Sequence, residues 1–192
     1  YFNGGGVAVG DLNNDGFDDI YFTSNLSENR LFLNKGGLKF ENISKKAGVV
    51  GKDGWTTGAT MVDINGDGWP DLWVGNHDSK PSLYLNNGDG TFTNIVDKVW
   101  SADPRADTHG AAWADFDNDG DQDLVELVGA STNDDGTLCI GCGQNHMFVN
   151  ENGILVNRAR EYGLARPGLA RSPQWLDVDS DGRLDLVVVN TS

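Results

Sequence analysis

Residues 63 to 71 read Asp63-Ile-Asn-Gly-Asp-Gly-Trp-Pro-Asp71. Oxygen-bearing side chains fall on positions 1, 3, 5 and 9 of this stretch, and position 6 is a glycine. The same pattern recurs as Asp11-Leu-Asn-Asn-Asp-Gly-Phe-Asp-Asp19, as Asp115-Phe-Asp-Asn-Asp-Gly-Asp-Gln-Asp123 and as Asp177-Val-Asp-Ser-Asp-Gly-Arg-Leu-Asp185. The first aspartates of successive copies are 52, 52 and 62 residues apart. A fixed period of this size is the signature of repeat architectures. A second element keeps the same beat: Leu31-Phe-Leu-Asn34, Leu83-Tyr-Leu-Asn86 and Met147-Phe-Val-Asn150, each followed by a turn that contains glycine. The longer third period reflects an insertion near Ser131 to Asn145, rich in Gly, Asn, Asp and Cys.

Each unit reads as strands. Short apolar stretches precede the acidic pattern at Val7 to Val9, Ala59 to Val62, Ala111 to Ala114 and Gln174 to Leu176. Others follow it at Ile20 to Phe22, Leu72 to Val74, Leu124 to Val128 and Leu186 to Val189. They are too short for helices and rich in β-branched or aromatic residues. Asn-Gly and Gly-Asp-Gly turns then lead to return segments such as Thr91-Phe-Thr93. Ser44 to Gly48 and Arg158 to Gly163 read as single helical turns. Four strands in roughly 50 residues is the size of one propeller blade. The expected fold is all-β: one β-propeller segment over residues 1–192, in blades of four antiparallel strands. Its units run approximately 1–52, 53–104, 105–166 and 167–192. That is about three and a half blades, an incomplete or trans-completed propeller, since a seven-bladed ring would need roughly 360 residues. The expectation is therefore either a longer protein or completion by another copy through the open blade edges. Tyr1-Phe2-Asn3-Gly4 lacks a basic or apolar leader, which suggests a start inside a folded unit.

The balance of charge narrows the function. Twenty-nine acidic side chains against 14 basic ones give a net charge of -15, which argues against nucleic acid or an anionic membrane as the main partner. No apolar run is long enough for direct membrane insertion. Eighteen aromatic residues exclude a disordered acidic tail.

The acidic loops carry the chemistry. Alternating oxygen donors, a glycine at the sharp turn and a carbonyl at position 7 form the first part of a calcium loop. The candidate ligands are Asp11, Asn13, Asp15, the Phe17 carbonyl and Asp19 in the first loop. In the second they are Asp63, Asn65, Asp67, the Trp69 carbonyl and Asp71. The third offers Asp115, Asp117, Asp119, the Asp121 carbonyl and Asp123; the fourth Asp177, Asp179, Asp181, the Arg183 carbonyl and Asp185. Hard oxygen donors without His or Cys favour Ca2+ over zinc or copper. So many carboxylates packed together without a cation would repel one another. A helical calcium motif needs an acidic residue at position 12, where Phe22, Val74, Glu126 and Val188 stand, and strands follow. Four bound Ca2+ ions would bring the net charge from -15 to -7.

Asp-x-(Asp/Asn)-x-Asp-Gly-x-x-Asp-(Leu/Ile), repeated between short strands, resembles the FG-GAP or VCBS repeat of integrin α-subunit β-propellers. Gly5-Gly-Val-Ala-Val-Gly-Asp11 and Asn29-Arg-Leu-Phe-Leu-Asn34 most resemble bacterial relatives of cartilage acidic protein. The resemblance covers essentially the whole chain. It implies a propeller, calcium in loops between the first two strands of each blade, and an extracellular setting. The Phe-Gly and Gly-Ala-Pro signatures are degenerate here, as Gly58-Ala-Thr60 and Gly110-Ala-Ala112.

The remaining features are minor. Cys139-Ile-Gly-Cys142 reads as a short disulfide in an oxidising compartment; a free pair, or zinc with His146, are the alternatives. Asn25, Asn42 and Asn190 open glycosylation sequons. His77, His109 and His146 lie apart and away from any nucleophile motif, and read as surface-loop residues rather than parts of a hydrolase. Most of the Trp residues are expected between blades, with sugar stacking the alternative. The expected function is an extracellular or cell-surface, non-catalytic interaction or adhesion module. Its partner would be an extracellular protein or glycan, recognised chiefly through the insertion at Ser131 to Asn145. The alternatives are a structural subunit that self-associates and a lectin-like module.

Overall fold

The computed structural model describes residues 5–51, 55–77, 79–99, 107–132, 138–140, 143–166 and 170–190. Two compact units are present, one carrying the first eight strands and the other the remaining seven. In the first unit, β1 (Val7–Gly10), β2 (Asp19–Phe22), β3 (Arg30–Asn34) and β4 (Phe40–Asn42) form one antiparallel meander. A single helical turn, α1 (Ser44–Ala47), follows it. A second meander repeats the plan with β5 (Thr56–Val62), β6 (Asp71–Asn76), β7 (Ser82–Asn86) and β8 (Phe92–Asn94), and ends in α2 (Val96–Val99). Each is a four-stranded blade.

The second unit contains β9 (Asp107–Ala114), β10 (Asp123–Thr132), β11 (Leu138–Ile140), β12 (His146–Asn150) and β13 (Leu155–Asn157) in one sheet. Here the structure departs from the four-strand expectation. β10 runs on to Thr132, and β11, from within the insertion, pairs with its end through Ala130↔Ile140 and Thr132↔Leu138. Part of the insertion is therefore a fifth strand rather than a loop. β14 (Ala170–Leu176) and β15 (Asp185–Asn190) make a two-stranded sheet. Ser44 to Gly48 forms the expected helical turn, whereas Arg158 to Gly163 forms a run of hydrogen-bonded turns.

The register places every acidic loop alike. Asp19 pairs with Gly10, Asp71 with Val62, Asp123 with Ala114 and Asp185 with Leu176. The ninth loop residue thus opens the second strand, opposite the last residue of the first. Middle strands meet neighbours on both faces, so they read as continuous apolar runs. β6 is buried along its whole length. In the first unit, fully buried Tyr21, Leu31, Val49 and Leu72 form the core, and the Tyr21 hydroxyl donates to the Val49 carbonyl at 2.7 Å. In the second, Val125, Leu127 and Met147 pack with Phe116 and Trp175. The Trp175 indole donates to the Ala112 carbonyl on β9 at 3.3 Å and stacks on Phe116 at 5.7 Å, which fits a tryptophan packed between adjacent sheets.

One histidine departs from expectation. His146 is buried on β12, with Nδ1 2.7 Å from Glu126 Oε2, and the Thr108 hydroxyl donates to Glu126 Oε1 at 2.6 Å. His77 stands against Trp55, ring centroids 4.7 Å apart. The side chains of His109 and Cys139, and all of Cys142, lie outside the described residues, so the disulfide expectation falls there too.

Leu72→Ala should lower the unfolding free energy by about 2–5 kcal/mol, because a fully buried side chain leaves a cavity. Leu26→Ala, at a position 90% exposed, should change it by less than about 0.5 kcal/mol. Urea unfolding of the two variants in parallel checks the assignment of the core.

Candidate metal centres

All four acidic loops are built on one hydrogen-bond plan. The first aspartate accepts two loop amides: Asp11 takes the N–H groups of Asp15 and Gly16 at 3.0 and 2.8 Å. Asp63, Asp115 and Asp177 do the same for Asp67 and Gly68, Asp119 and Gly120, and Asp181 and Gly182. The position-5 carboxylate accepts the N–H of position 7, so Phe17, Trp69, Asp121 and Arg183 are tied at 2.8–2.9 Å. These bonds wind the loop tightly, and two residues per loop adopt left-handed backbone. Position 4 (Asn14, Gly66, Asn118, Ser180) has φ of 54 to 70°, and the glycine at position 6 has φ of 84 to 98°. A Cβ on Gly16, Gly68, Gly120 or Gly182 would touch nothing within 4 Å, so the dihedral and not space demands glycine. The aromatic rings at position 7 have a further role. They lie over the glycine of the β3–β4 or β7–β8 turn, where a Cβ on Gly36 would approach Phe17 to 3.3 Å and one on Gly88 would approach Trp69 to 3.2 Å.

The ninth residue closes the loop and joins it to the rest of the blade. Asp19, Asp71 and Asp123 are completely buried. In each, Oδ2 accepts the N–H of position 2 (Leu12, Ile64, Phe116) at 3.0–3.2 Å. Oδ1 accepts the N–H of the asparagine that ends the third long strand, Asn34, Asn86 or Asn150, at 2.7–2.9 Å. The same asparagines donate Nδ2 to the position-8 carbonyl (Asp18, Pro70, Gln122) and accept a turn amide on Oδ1 from Gly36, Gly88 or Gly153. These asparagines belong to the site, although the acidic motif alone does not include them. Their recurrence in Leu31-Phe-Leu-Asn34, Leu83-Tyr-Leu-Asn86 and Met147-Phe-Val-Asn150 is the signal that marks them.

Carboxylate ligands converge in the third and fourth loops. One oxygen from each of Asp115, Asp117 and Asp123 lies within 4.8 Å of the others, and the same holds for Asp177, Asp179 and Asp185. A Ca2+ ion with ligands at about 2.3–2.6 Å places opposite oxygens roughly 5 Å apart, so both trios fit a single such ion. In the first two loops the asparagine at position 3 turns its amide onto position 5, with Asn13 Nδ2 3.0 Å from Asp15 Oδ2 and Asn65 Nδ2 2.9 Å from Asp67 Oδ2. In the fourth loop Asp181 is engaged by its neighbour Arg183, whose Nε donates at 3.0 Å. Electrostatics follow from burial. Desolvation pushes Asp71 and Asp123 up to about 6, against the pull of their backbone N–H bonds, and the other loop carboxylates add to the rise. Asp19 is raised by the same cause.

These blades and loops define a repeat protein of the propeller type, with an acidic hairpin loop opening each blade. Residues 11–74 and 63–126 match the profile of the FG-GAP-like repeat, and the chain belongs to that family. It is 33% identical to cartilage acidic protein 1 of Xenopus tropicalis over 98% of this chain and 29% of the relative. Against the Homo sapiens protein of that name the figures are 32%, over 62% of this chain and 18% of the relative. The chain thus spans less than a third of the length of these relatives. A solved structure concerned with recognition of non-reducing terminal N-acetylglucosamine by an Agrocybe aegerita lectin superimposes with a TM-score of 0.52. The match covers 94% of this chain and 45% of that one at 19% identity, a likeness of fold.

Asp71 and Asp123 titrate near 6 in the folded protein against an ordinary 3.8. Between those values the metal-free folded protein holds protons that the unfolded chain has released, so its stability falls as pH rises. Chelated protein should therefore melt higher at about pH 5 than at about pH 7, with a smaller difference in an Asp71→Asn/Asp123→Asn variant. Calorimetric melts in EGTA read the effect.

Proposed function

We propose that this chain is a calcium-loaded, non-catalytic binding module of an extracellular protein. The observation that carries the reading is the convergence of three carboxylates in each of the third and fourth loops at the spacing of one Ca2+ shell. Bound calcium neutralises those clusters and offsets the repulsion and desolvation that raise Asp123. The ligands are the residues at positions 1, 3, 5 and 9 of each loop, with the carbonyls of Phe17, Trp69, Asp121 and Arg183. Extracellular calcium suits the 10⁻⁴–10⁻³ M affinities of such modules, on the order of that compartment's concentration. The likeness to cartilage acidic protein 1 supports the extracellular setting. Among the described residues no helix is long and apolar enough to cross a membrane.

The partner is an extracellular protein or glycan. A specific observation favours a glycan: a groove of about 500 Å³ beside the third loop, walled by Asp119, Asp121, Asn152, Arg158 and Tyr162. Tyr162 is 48% exposed, and its ring stands edge-on against Phe116 at 5.1 Å, which in turn stacks on Trp175. A backed, exposed ring beside the Asn152 amide and the calcium-held loop suits a sugar stacked on its face.

Calcium titration of the chelated protein by calorimetry tests the core of the reading. Up to four ions should bind and the melting temperature should rise; Asp117→Ala with Asp179→Ala should remove about two ions, because each loses one carboxylate of its trio. No binding heat, together with identical unfolding in calcium and EGTA, would overturn it. On a glycan array, Tyr162→Ala should lose binding at least about tenfold while calcium uptake stays intact. Retention of full glycan binding by that variant would remove the groove from the reading.

A further inference from the structure

We propose that the first and second loops bind calcium as a coupled pair, with Asn86 and Asn14 as the positioning residues that join them. The inference rests on the calcium reading and concerns what the chain does with two neighbouring sites. Asn86 lies at the end of β7, and only 4% of it is exposed. Its N–H donates to the Asp71 carboxylate of its own loop at 2.7 Å. Its side-chain Nδ2 reaches the Leu12 carbonyl of the first loop, 74 residues away in sequence, at 2.8 Å. Leu12 in turn donates its N–H to the Asp19 carboxylate at 3.0 Å. Three hydrogen bonds thus connect the closing carboxylates of the two loops through one buried side chain.

A second link runs along the outer edge. Asn14, in left-handed backbone with φ 54°, donates Nδ2 to the Gly68 carbonyl at 2.9 Å. That carbonyl shares a peptide group with the Trp69 N–H, which donates to the Asp67 carboxylate at 2.8 Å. An ion that draws Asp67 and Asp71 into its shell therefore fixes the peptide and the amide on which Asn14 and Leu12 rest. The loop that fills second finds part of its ordering already done, and its affinity rises accordingly.

The test uses the full chain with the third and fourth sites disabled by Asp117→Ala and Asp179→Ala, and Ca2+ alone as the probe. Equilibrium dialysis and calorimetry should show two ions binding with a Hill coefficient above 1. Removing the second site by Asp67→Ala should weaken the first by about fivefold or more. Adding Asn14→Gly, which keeps the left-handed backbone accessible, or Asn86→Ala should bring the Hill coefficient to 1 and abolish the effect of Asp67→Ala. Melting of the calcium-free Asn14→Gly protein at the parent temperature would show that the change is not one of folding. Two ions bound independently, with no response to either asparagine variant, would overturn the coupling and leave the calcium reading standing. Absence of any calcium binding would overturn both.

Discussion

A buried carboxylate between two backbone amides is the interaction on which each complete blade depends. Asp19, Asp71 and Asp123 have no solvent contact, and each holds one amide of its own loop and one at the end of the third long strand. Two neutral donors do not compensate a desolvated charge in full, which is why burial raises these groups. That desolvation weakens the metal-free blade, and the proposed calcium would offset it at the same side chain.

The loop around that anchor is shaped by short-range chemistry. The first aspartate gathers the amides of positions 5 and 6, the fifth gathers the amide of position 7, and two left-handed residues let the chain wind between them. Because each of these bonds spans two to five residues, the loop folds the same way whatever blade follows it. The third position folds back alike in three of the loops: Asn13, Asn65 and Asp179 each accept the position-5 N–H at 3.1–3.2 Å, and the two asparagines add an amide bond to the position-5 carboxylate.

The blades diverge where the repeat carries no constraint. The fourth residue of the second strand is Phe22 in the first blade, Val74 in the second and Glu126 in the third. Glu126 is buried and satisfied by His146 from β12 and Thr108 from β9, so three strands contribute to one polar cluster inside an otherwise apolar sheet. In the fourth copy the loop retains the same local bonds, with Asp185 accepting the Val178 N–H at 2.9 Å.

The amino-acid sequence determined the repeat period, the strand-loop-strand unit and the ring of oxygen donors, because turn dihedrals and alternating ligands act over nine residues and leave a pattern at that range. It also marked Asn34, Asn86 and Asn150 by recurrence, without saying what they hold. Tertiary structure alone decided their role, since Asp123 and Asn150 meet across 27 residues and Asn86 and Leu12 across 74. It likewise decided that His146 is buried rather than a surface-loop residue and that part of the insertion is a fifth strand. Such pairings depend on which strand lies beside which once the blade is packed, and spacing along the chain does not specify that distance.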